Sequence, residues 1–281
     1  MTIDAPLRYA AFSDTPSGGN PAGVVLNTAG MAVDAMQRSA AEIGYSETAF
    51  LRKRDDGHFD VRYFSPLAEV PFCGHATIAS AVALAERQGA GTWRFHTKAG
   101  GVTVRTRAAQ TGYSATLTSV APHVEAANDA LVAQAMDALD WSADELDPAL
   151  PPRIAYAGAR HLVLAAATRD RLARLDYGFD VLKNLMLAFD LTTIDLVWRE
   201  SAHVFHARNP FPVGGIVEDP ATGAAAAAFG AYLRELKLVP IPSSILVHQG
   251  EDMGRPSLLT IDIDETPGIR VTGRAVAIPS E

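Results

Sequence analysis

Within seven residues the chain sets a carboxylate, a thiol, a glycine and an imidazole side by side: Glu69-Val70-Pro71-Phe72-Cys73-Gly74-His75. Several chemistries fit such a turn. A thiolate stabilised by a helix N-terminus is a nucleophile or a base. Cysteine, histidine and carboxylate side chains ligate transition metals. Backbone amides at a helix start receive a carboxylate or phosphate. The run that follows, Ala76 onward, is helix-forming and carries no charge until Glu86-Arg87. A helix that is apolar on every face is wrapped by protein or lies in a membrane. Its uncharged length is about half of the ~20 residues a membrane span needs. The expectation is therefore the buried axis of a soluble domain, with the turn presenting its amides at the mouth.

A second turn of the same kind lies downstream. Glu218-Asp219-Pro220-Ala221-Thr222-Gly223 opens into Ala224-Ala225-Ala226-Ala227-Ala228-Phe229, and again no charge appears before Arg234-Glu235. Glu69 precedes Gly74 by the interval at which Glu218 precedes Gly223. The elements before the two turns also repeat. Residues 7–12, 24–26, 46–51 and 58–64 read as strands, with an amphipathic helix over 33–43 carried by Val33, Met36, Ala40 and Ile43 and stopped by Gly44. Residues 153–156, 161–166, 194–198 and 202–207 repeat that strand pattern around a helix at 177–189. Further strands are expected at 93–97, 102–107 and 113–117, a helix at 126–139, and strands with Gly and Pro turns across 243–277. A period of more than 100 residues points to two similar domains rather than a solenoid. The expected fold is α+β: two pseudo-symmetric domains, each a curled sheet or barrel around a central apolar helix. The expected boundaries are residues 1–120 plus 270–281, and 121–269. Related by a pseudo-twofold, the two helix starts would face each other across an interdomain cleft, where ligand sites are common.

Composition narrows the function. Lys+Arg 24 against Asp+Glu 32 gives a net charge of -8, which disfavours nucleic acid and anionic membrane as partners. The single cysteine, Cys73, excludes an intrachain disulfide and a two-thiol reaction, and fits a reducing cytoplasm. No signal-peptide pattern is read at residues 1–8. Cys73-Gly74-His75 lacks a usual zinc spacing, no second Cys/His pair follows, and His203 and His206 on a strand point to opposite faces. Gly18-Gly19 is no P-loop and no dinucleotide fingerprint follows a strand. No metal and no cofactor are expected. The composition reads as a cytoplasmic enzyme or small-ligand binder.

Four motifs taken together, Gly19-Asn20-Pro21, Ser46-Glu47-Thr48-Ala49-Phe50, Pro71-Phe72-Cys73-Gly74-His75 and Glu218-Asp219-Pro220-Ala221-Thr222-Gly223, resemble the phenazine-biosynthesis PhzF-like family. That family belongs to the diaminopimelate epimerase and proline racemase superfamily, and the resemblance runs over nearly the whole chain. It implies the two-domain epimerase fold, usually as a homodimer, and cofactor-independent proton transfer. By the resemblance Glu47 is the general acid/base, His75 and Asp219 are the polar groups beside it, and Gly74 and Gly223 mark the two helix starts. The chain departs from its relatives in having one cysteine. Cys73 stands at the first cysteine position of the two-thiol epimerases, and Thr222-Gly223-Ala224 offers no partner. The phenazine enzyme commonly has Ser where Ala224 stands and Pro where Ala76 stands.

Each candidate also has a plainer reading. Glu47, on residue type alone, is a solvated strand residue. His75 and Asp219 suit helix caps; the sharper reading has both orient a substrate. Cys73 reads as a small buried hydrophobe, and Asn20 as a turn-former or a substrate ligand. The reading is a cofactor-independent isomerase or epimerase moving a proton on a small carboxylate-bearing metabolite. Glu47, His75 and Asp219 are its catalytic candidates; Asn20, Cys73, Gly74, Thr222, Gly223 and Ala224 are the substrate-binding ones. The alternative is a non-catalytic small-molecule or protein-binding member of the same fold.

Overall fold

A helix without a polar face must be enclosed, and here strands enclose one in each of two units. The computed structural model describes residues 5–279. Its chain divides into unit 1, Met1–Thr118 with Thr272–Glu281, and unit 2, Ser119–Val271.

Unit 1 begins with β1 (Leu7–Ala11), β2 (Asn20–Val25), α1 (Val33–Ile43), β3 (Glu47–Lys53), β4 (Phe59–Phe64) and β5 (Glu69–Val70). It continues through α2 (Gly74–Gln88), β6 (Thr92–Thr97), β7 (Gly100–Ala108) and β8 (Tyr113–Thr118). Unit 2 holds β9 (His123–Ala126), α3 (Asp129–Leu139), β10 (Arg153–Tyr156), β11 (Arg160–Ala165), α4 (Arg169–Ala173) and α5 (Phe179–Ala188). It ends with β12 (Thr193–Arg199), β13 (Val204–Pro210), β14 (Glu218–Asp219), α6 (Gly223–Glu235), β15 (Ser243–Gln249) and β16 (Ser257–Ile263). The last strand, β17 (Arg270–Ala277), belongs to unit 1 from Thr272 onward.

β17 closes unit 1. Strands β1, β2, β3, β4, β6, β7, β8 and β17 pair in that order, and β17 pairs back to β1, making a closed eight-stranded barrel. Two of the pairings, β2–β3 and β4–β6, are parallel, and α1 and α2 are the crossovers they require. Helix α2 runs through the barrel against β1, β2, β3, β7 and β8. Every residue of it from 75 to 85 is buried, as its uniform apolarity demands. Burying Ile78, Val82 and Leu84 contributes about 1.5–3 kcal/mol each. Helix α1 covers the barrel's outside, setting Met36 and Ala40 against Val25, Phe50 and Phe64. Gly44, in the left-handed region at φ 73°, ends it by donating to Ala40 O.

Unit 2 repeats the order. β9, β10, β11, β12, β13, β15 and β16 pair successively, with β11–β12 and β13–β15 parallel. α4 and α5 bridge the first parallel pair and α6 the second. Both edge strands of this curled sheet, β9 and β16, lie against α6, together with β10, β11 and β12. Leu131, Leu182, Met186, Leu162 and Leu196 form a second core where α3 and α5 cover the sheet. Several elements differ from their expected bounds: β2 opens at Asn20 and β13 runs on to Pro210, and β9 and α4 stand where no element was expected. Two of the differences have a plain cause. Residues 126–128 do not join α3, because 123–126 is drawn into pairing with β10 and the Asn128 side chain caps the helix on Ala130 N–H. Gly100 and Gly101 open β7 rather than form the turn before it, since they pair with Thr97 and His96.

Candidate active site

Unit 1 gathers five of the sequence candidates, Asn20, Glu47, Cys73, Gly74 and His75, at the mouth of α2. Gly19 sits at φ 64°, where a Cβ would meet Ala11 O at 2.4 Å, so only glycine lets the chain turn into Asn20. Asn20 opens β2, Glu47 opens β3, and Cys73 is the N-cap of α2 with His75 two residues on. The Cys73 carbonyl is held by Thr77 Oγ1–H at 2.6 Å, and Thr77 Oγ1 in turn lies 2.6 Å from the Tyr63 hydroxyl. This fixes the turn from below.

His75 is the hub. Asn20 Nδ2 donates to its Nδ1 at 3.1 Å, which places the proton of the neutral ring on Nε2. That nitrogen faces Glu47 Oε2 at 3.4 Å and Ser46 Oγ at 3.3 Å. The Cys73 Sγ–H reaches Glu47 Oε2 at 3.6 Å and lies 3.4 Å from His75 Nδ1. Asn20, Cys73 and His75 are buried, and the Glu47 side chain is 15% exposed. One carboxylate thus stands at the edge of an otherwise enclosed polar cluster, beside the helix start at Gly74. Glu69, the carboxylate nearest Cys73 in sequence, serves elsewhere. It accepts from Arg62 Nε and Nη2 at 2.7 Å each and from Lys98 Nζ at 2.5 Å. The Arg62 guanidinium, followed by Lys98, holds its carboxyl below the ordinary carboxylate range.

Unit 2 gathers the rest. Asp219, on β14, accepts the Thr222 hydroxyl on Oδ2 at 2.7 Å. Gln249 ties the turn together: its Nε2 donates to Asp219 O at 2.8 Å and lies 3.0 Å from Thr222 Oγ1, while its Oε1 accepts Thr222 N–H at 3.1 Å. Gly250 follows at φ 76°, where a Cβ would meet Arg255 O at 2.4 Å and Pro220 O at 2.7 Å. Gly223 and Ala224 begin α6, Gly223 buried and Ala224 partly open. Glu218 forms a buried bidentate pair with Arg208, at 2.9 Å and 2.5 Å. Behind Asp219, its ladder partner Asn209 belongs to a buried chain. His161 Nδ1 meets Thr193 Oγ1 at 2.7 Å, Thr193 donates to Asn209 Oδ1 at 2.6 Å, and Asn209 Nδ2 donates to Asp195 Oδ1 at 3.0 Å. Burial pushes the Asp195 carboxyl up to about 7 and the His161 imidazole down to about 3. His161 Nε2 has no hydrogen-bond partner, a cost of about 1–3 kcal/mol.

Sequence reasoning missed Gln249 and Ser46 as site residues. Ser46 adjoins Glu47 and was open to inference. Gln249 carries no local signal, because it reaches Asp219 and Thr222 only through the β13–β15 pairing.

The family model described as "Phenazine biosynthesis-like protein" matches residues 9–280. The chain is 29% identical over 280 residues to the uncharacterized isomerase YfhB of Bacillus subtilis, covering 96% of this chain and 95% of that one. It is 29% identical over 263 residues to the trans-2,3-dihydro-3-hydroxyanthranilate isomerase of Pseudomonas fluorescens, covering 89% and 86%. The crystal structure of the Bacillus anthracis phenazine biosynthesis protein of the PhzF family superposes with a TM-score of 0.88 at 25% identity, over 99% of this chain and 98% of that one. A helix-centred barrel, four motifs in order and a match along almost the full length agree: the chain belongs to the phenazine biosynthesis-like PhzF family and is an isomerase.

Proposed function

We propose that this isomerase moves a proton between two positions of a small carboxylate-bearing metabolite without a cofactor, with Glu47 as the single general acid and base. The observation that carries this is the placement of the Glu47 carboxylate. It lies 3.4 Å from His75 Nε2 and 3.6 Å from Cys73 Sγ, at the open edge of a buried cluster. A base must reach the proton it takes, and one carboxylate that takes it at one carbon returns it at a neighbouring one. His75, held by Asn20, donates to the ionised carboxylate and releases it when Glu47 is protonated. The amides at the start of α2 are suited to the substrate's carboxylate and to the negative charge that develops as the proton leaves. Thr222, Gly223, Ala224 and Asp219 are assigned to substrate binding and orientation by the resemblance of their turn.

The Pseudomonas fluorescens relative is named for a dihydro-hydroxyanthranilate, a cyclic amino acid with an allylic proton. A small acid with a proton made labile by a neighbouring unsaturated group is the class this site suits. Ala224, where a serine hydroxyl is common in the phenazine enzyme, favours a substrate lacking one polar group there. The test is proton exchange in deuterated water, followed by NMR on a panel of such acids. Glu47→Gln abolishes exchange and keeps the folded circular dichroism spectrum. Turnover retained by Glu47→Gln overturns the assignment, and binding without any exchange by the unaltered protein establishes a binder instead.

A further inference from the structure

The Nε2–H of His75 has two oxygens within reach and one proton to offer. Asn20 Nδ2 occupies the other ring nitrogen at 3.1 Å, so the proton of the neutral ring stays on Nε2. Ser46 Oγ lies 3.3 Å from that nitrogen and Glu47 Oε2 lies 3.4 Å from it. Both distances exceed the ordinary N–H···O separation of about 2.9–3.0 Å, so neither oxygen has captured the proton. We propose that Ser46 is a positioning residue of the isomerase: its hydroxyl oxygen takes over the His75 N–H while Glu47 carries the substrate's proton. The inference rests on the reading of Glu47 as the single acid and base, and it adds the group that lets that carboxylate change charge.

The need for such a group follows from burial. His75 is 5% exposed and the Glu47 side chain 15%, so water is a poor substitute for a lost partner. An ionised Glu47 is a strong acceptor for the imidazole N–H. When the substrate's C–H bond breaks, its electron pair moves into the neighbouring unsaturated group and its proton goes to Glu47. The resulting acid is a weaker acceptor and directs its own O–H at the substrate. Without a second acceptor the His75 N–H would be stranded in an enclosed cluster, which penalises the protonated acid and makes Glu47 a poorer base. A hydroxyl suits the exchange, because its oxygen has two lone pairs and its proton rotates out of the way. No proton leaves His75: the N–H turns from Glu47 to Ser46 as the acid forms, and back as the proton is returned at the second carbon. The other groups facing the ring are unsuited. Asn20 is on the opposite nitrogen, and Cys73 Sγ lies 3.4 Å from Nδ1 and 3.7 Å from Nε2, over the ring rather than in line with its N–H. Ser46 directly precedes the strand that Glu47 opens, which brings both oxygens to one nitrogen.

The experiment follows the carboxylate and the reaction separately. In protein labelled with carbon-13 at the glutamate carboxyls, the Glu47 signal is identified by its loss in Glu47→Gln and titrated with pH by NMR. Ser46→Ala should move its midpoint to lower pH by about one unit, because only the protonated acid loses an arrangement that satisfied His75. Ser46→Thr keeps the hydroxyl and should hold the midpoint near that of the unaltered protein. Exchange in deuterated water, measured on the most reactive acid of the panel, should divide the same way. Ser46→Ala lowers kcat about tenfold with KM changed by less than about threefold, and Ser46→Thr recovers most of the loss. The acid limb of the rate profile follows the shifted midpoint. A midpoint that stays in place in Ser46→Ala marks a serine with a structural role alone, and one that rises marks a hydroxyl donating to the carboxylate. Either result overturns the inference, as do equal losses in Ser46→Ala and Ser46→Thr. An inert Glu47→Gln beside an unshifted Ser46→Ala removes this inference and leaves Glu47 as the base. Turnover retained by Glu47→Gln removes both.

Discussion

The two acidic turns share a frame and differ in what stands on it. When Glu69 is matched with Glu218, Arg62 falls on Arg208, because each arginine is on the neighbouring strand and grips its glutamate with two nitrogens. Arg62 pairs with Phe50 across the sheet and Arg208 with Leu196, so Glu47 corresponds to Thr193, each the first residue of its strand. In the same register Cys73 corresponds to Thr222, His75 to Ala224, and Val70 to Asp219. Unit 1 therefore keeps the Glu47 carboxylate, the thiol and the imidazole. Unit 2 has small or hydroxyl residues at those places and instead carries an acid on the strand before its helix. The frame is duplicated and the chemistry is divided. A duplicated turn is a way to place helix amides, and it leaves each copy free to hold different side chains.

The largest test of that division is chemical. Glu47→Gln should lower substrate exchange by at least about 10³-fold, within the range general acid–base groups contribute. Thr193→Val should lower it by less than about tenfold, since Thr193 serves a structural chain. Comparable losses from both would mean that the two units share the proton chemistry.

The ion pairs come next. The Arg208 and Glu218 side chains are 10% and 4% exposed, against 33% and 12% for Arg62 and Glu69. Arg208→Ala strands a buried carboxylate and should cost about 3–5 kcal/mol in urea unfolding. Arg62→Ala leaves Glu69 with Lys98 and some water, and should cost about 1 kcal/mol or less. Equal costs would show that burial does not separate the two turns.

The buried chain behind Asp219 has no counterpart at Ala49, which corresponds to Asp195, or at Ala22, which corresponds to His161. It predicts a pH signature peculiar to unit 2. Asp195, raised to about 7, contributes stability that is full below the unfolded carboxyl value of about 4 and lost as pH rises to about 7. His161, lowered to about 3, contributes stability that is present above about 6.5 and lost as pH falls. The two trends oppose each other between about pH 4 and 6.5. Asp195→Asn should therefore gain stability relative to the unaltered protein as pH rises through that window, by up to about 1.4 kcal/mol per pH unit. His161→Gln should gain relative stability as pH falls. Parallel denaturation profiles for all three proteins would dismiss the linkage.

A last test concerns the helices. Gly230 of α6 corresponds to Ala81 of α2, seven residues past each helix start. A Cβ at Gly230 would meet Ile261 Cγ2 at 2.6 Å and Ile269 Cγ2 at 2.7 Å. Gly230→Ala should cost about 1–3 kcal/mol through overpacking, despite the better helix propensity of alanine. A stabilised variant would mean that the surrounding strands yield.

Much of this was legible in one dimension. Uniform apolarity from Ala76 to Ala85 and from Ala224 to Leu233 required enclosure of both helices, and the equal spacing of Glu69–Gly74 and Glu218–Gly223 exposed the duplication. Gly44 marked the end of α1 at the residue where it stops. The partnership at the site was less legible. Cys73 and His75 read as neighbours of Glu69, and a metal set built on that carboxylate looked poor. In the fold Glu69 is claimed by Arg62 and Lys98, and Glu47, 26 residues upstream of Cys73, takes its place. Gln249, 27 residues beyond Thr222, joins its turn in the same way.

The sequence alone determined most of the elements, their repetition and the starts of the two apolar helices, because these follow from local periodicity and capping, which act over a few residues. Only the tertiary structure decided which carboxylate stands beside the thiol of the Glu69–His75 turn. That choice depends on the parallel register of β2 with β3 and on the passage of α2 through the barrel, where Asn20, Glu47 and His75 converge. Side-chain chemistry is written in the chain, but distance between side chains is set by pairing across strands.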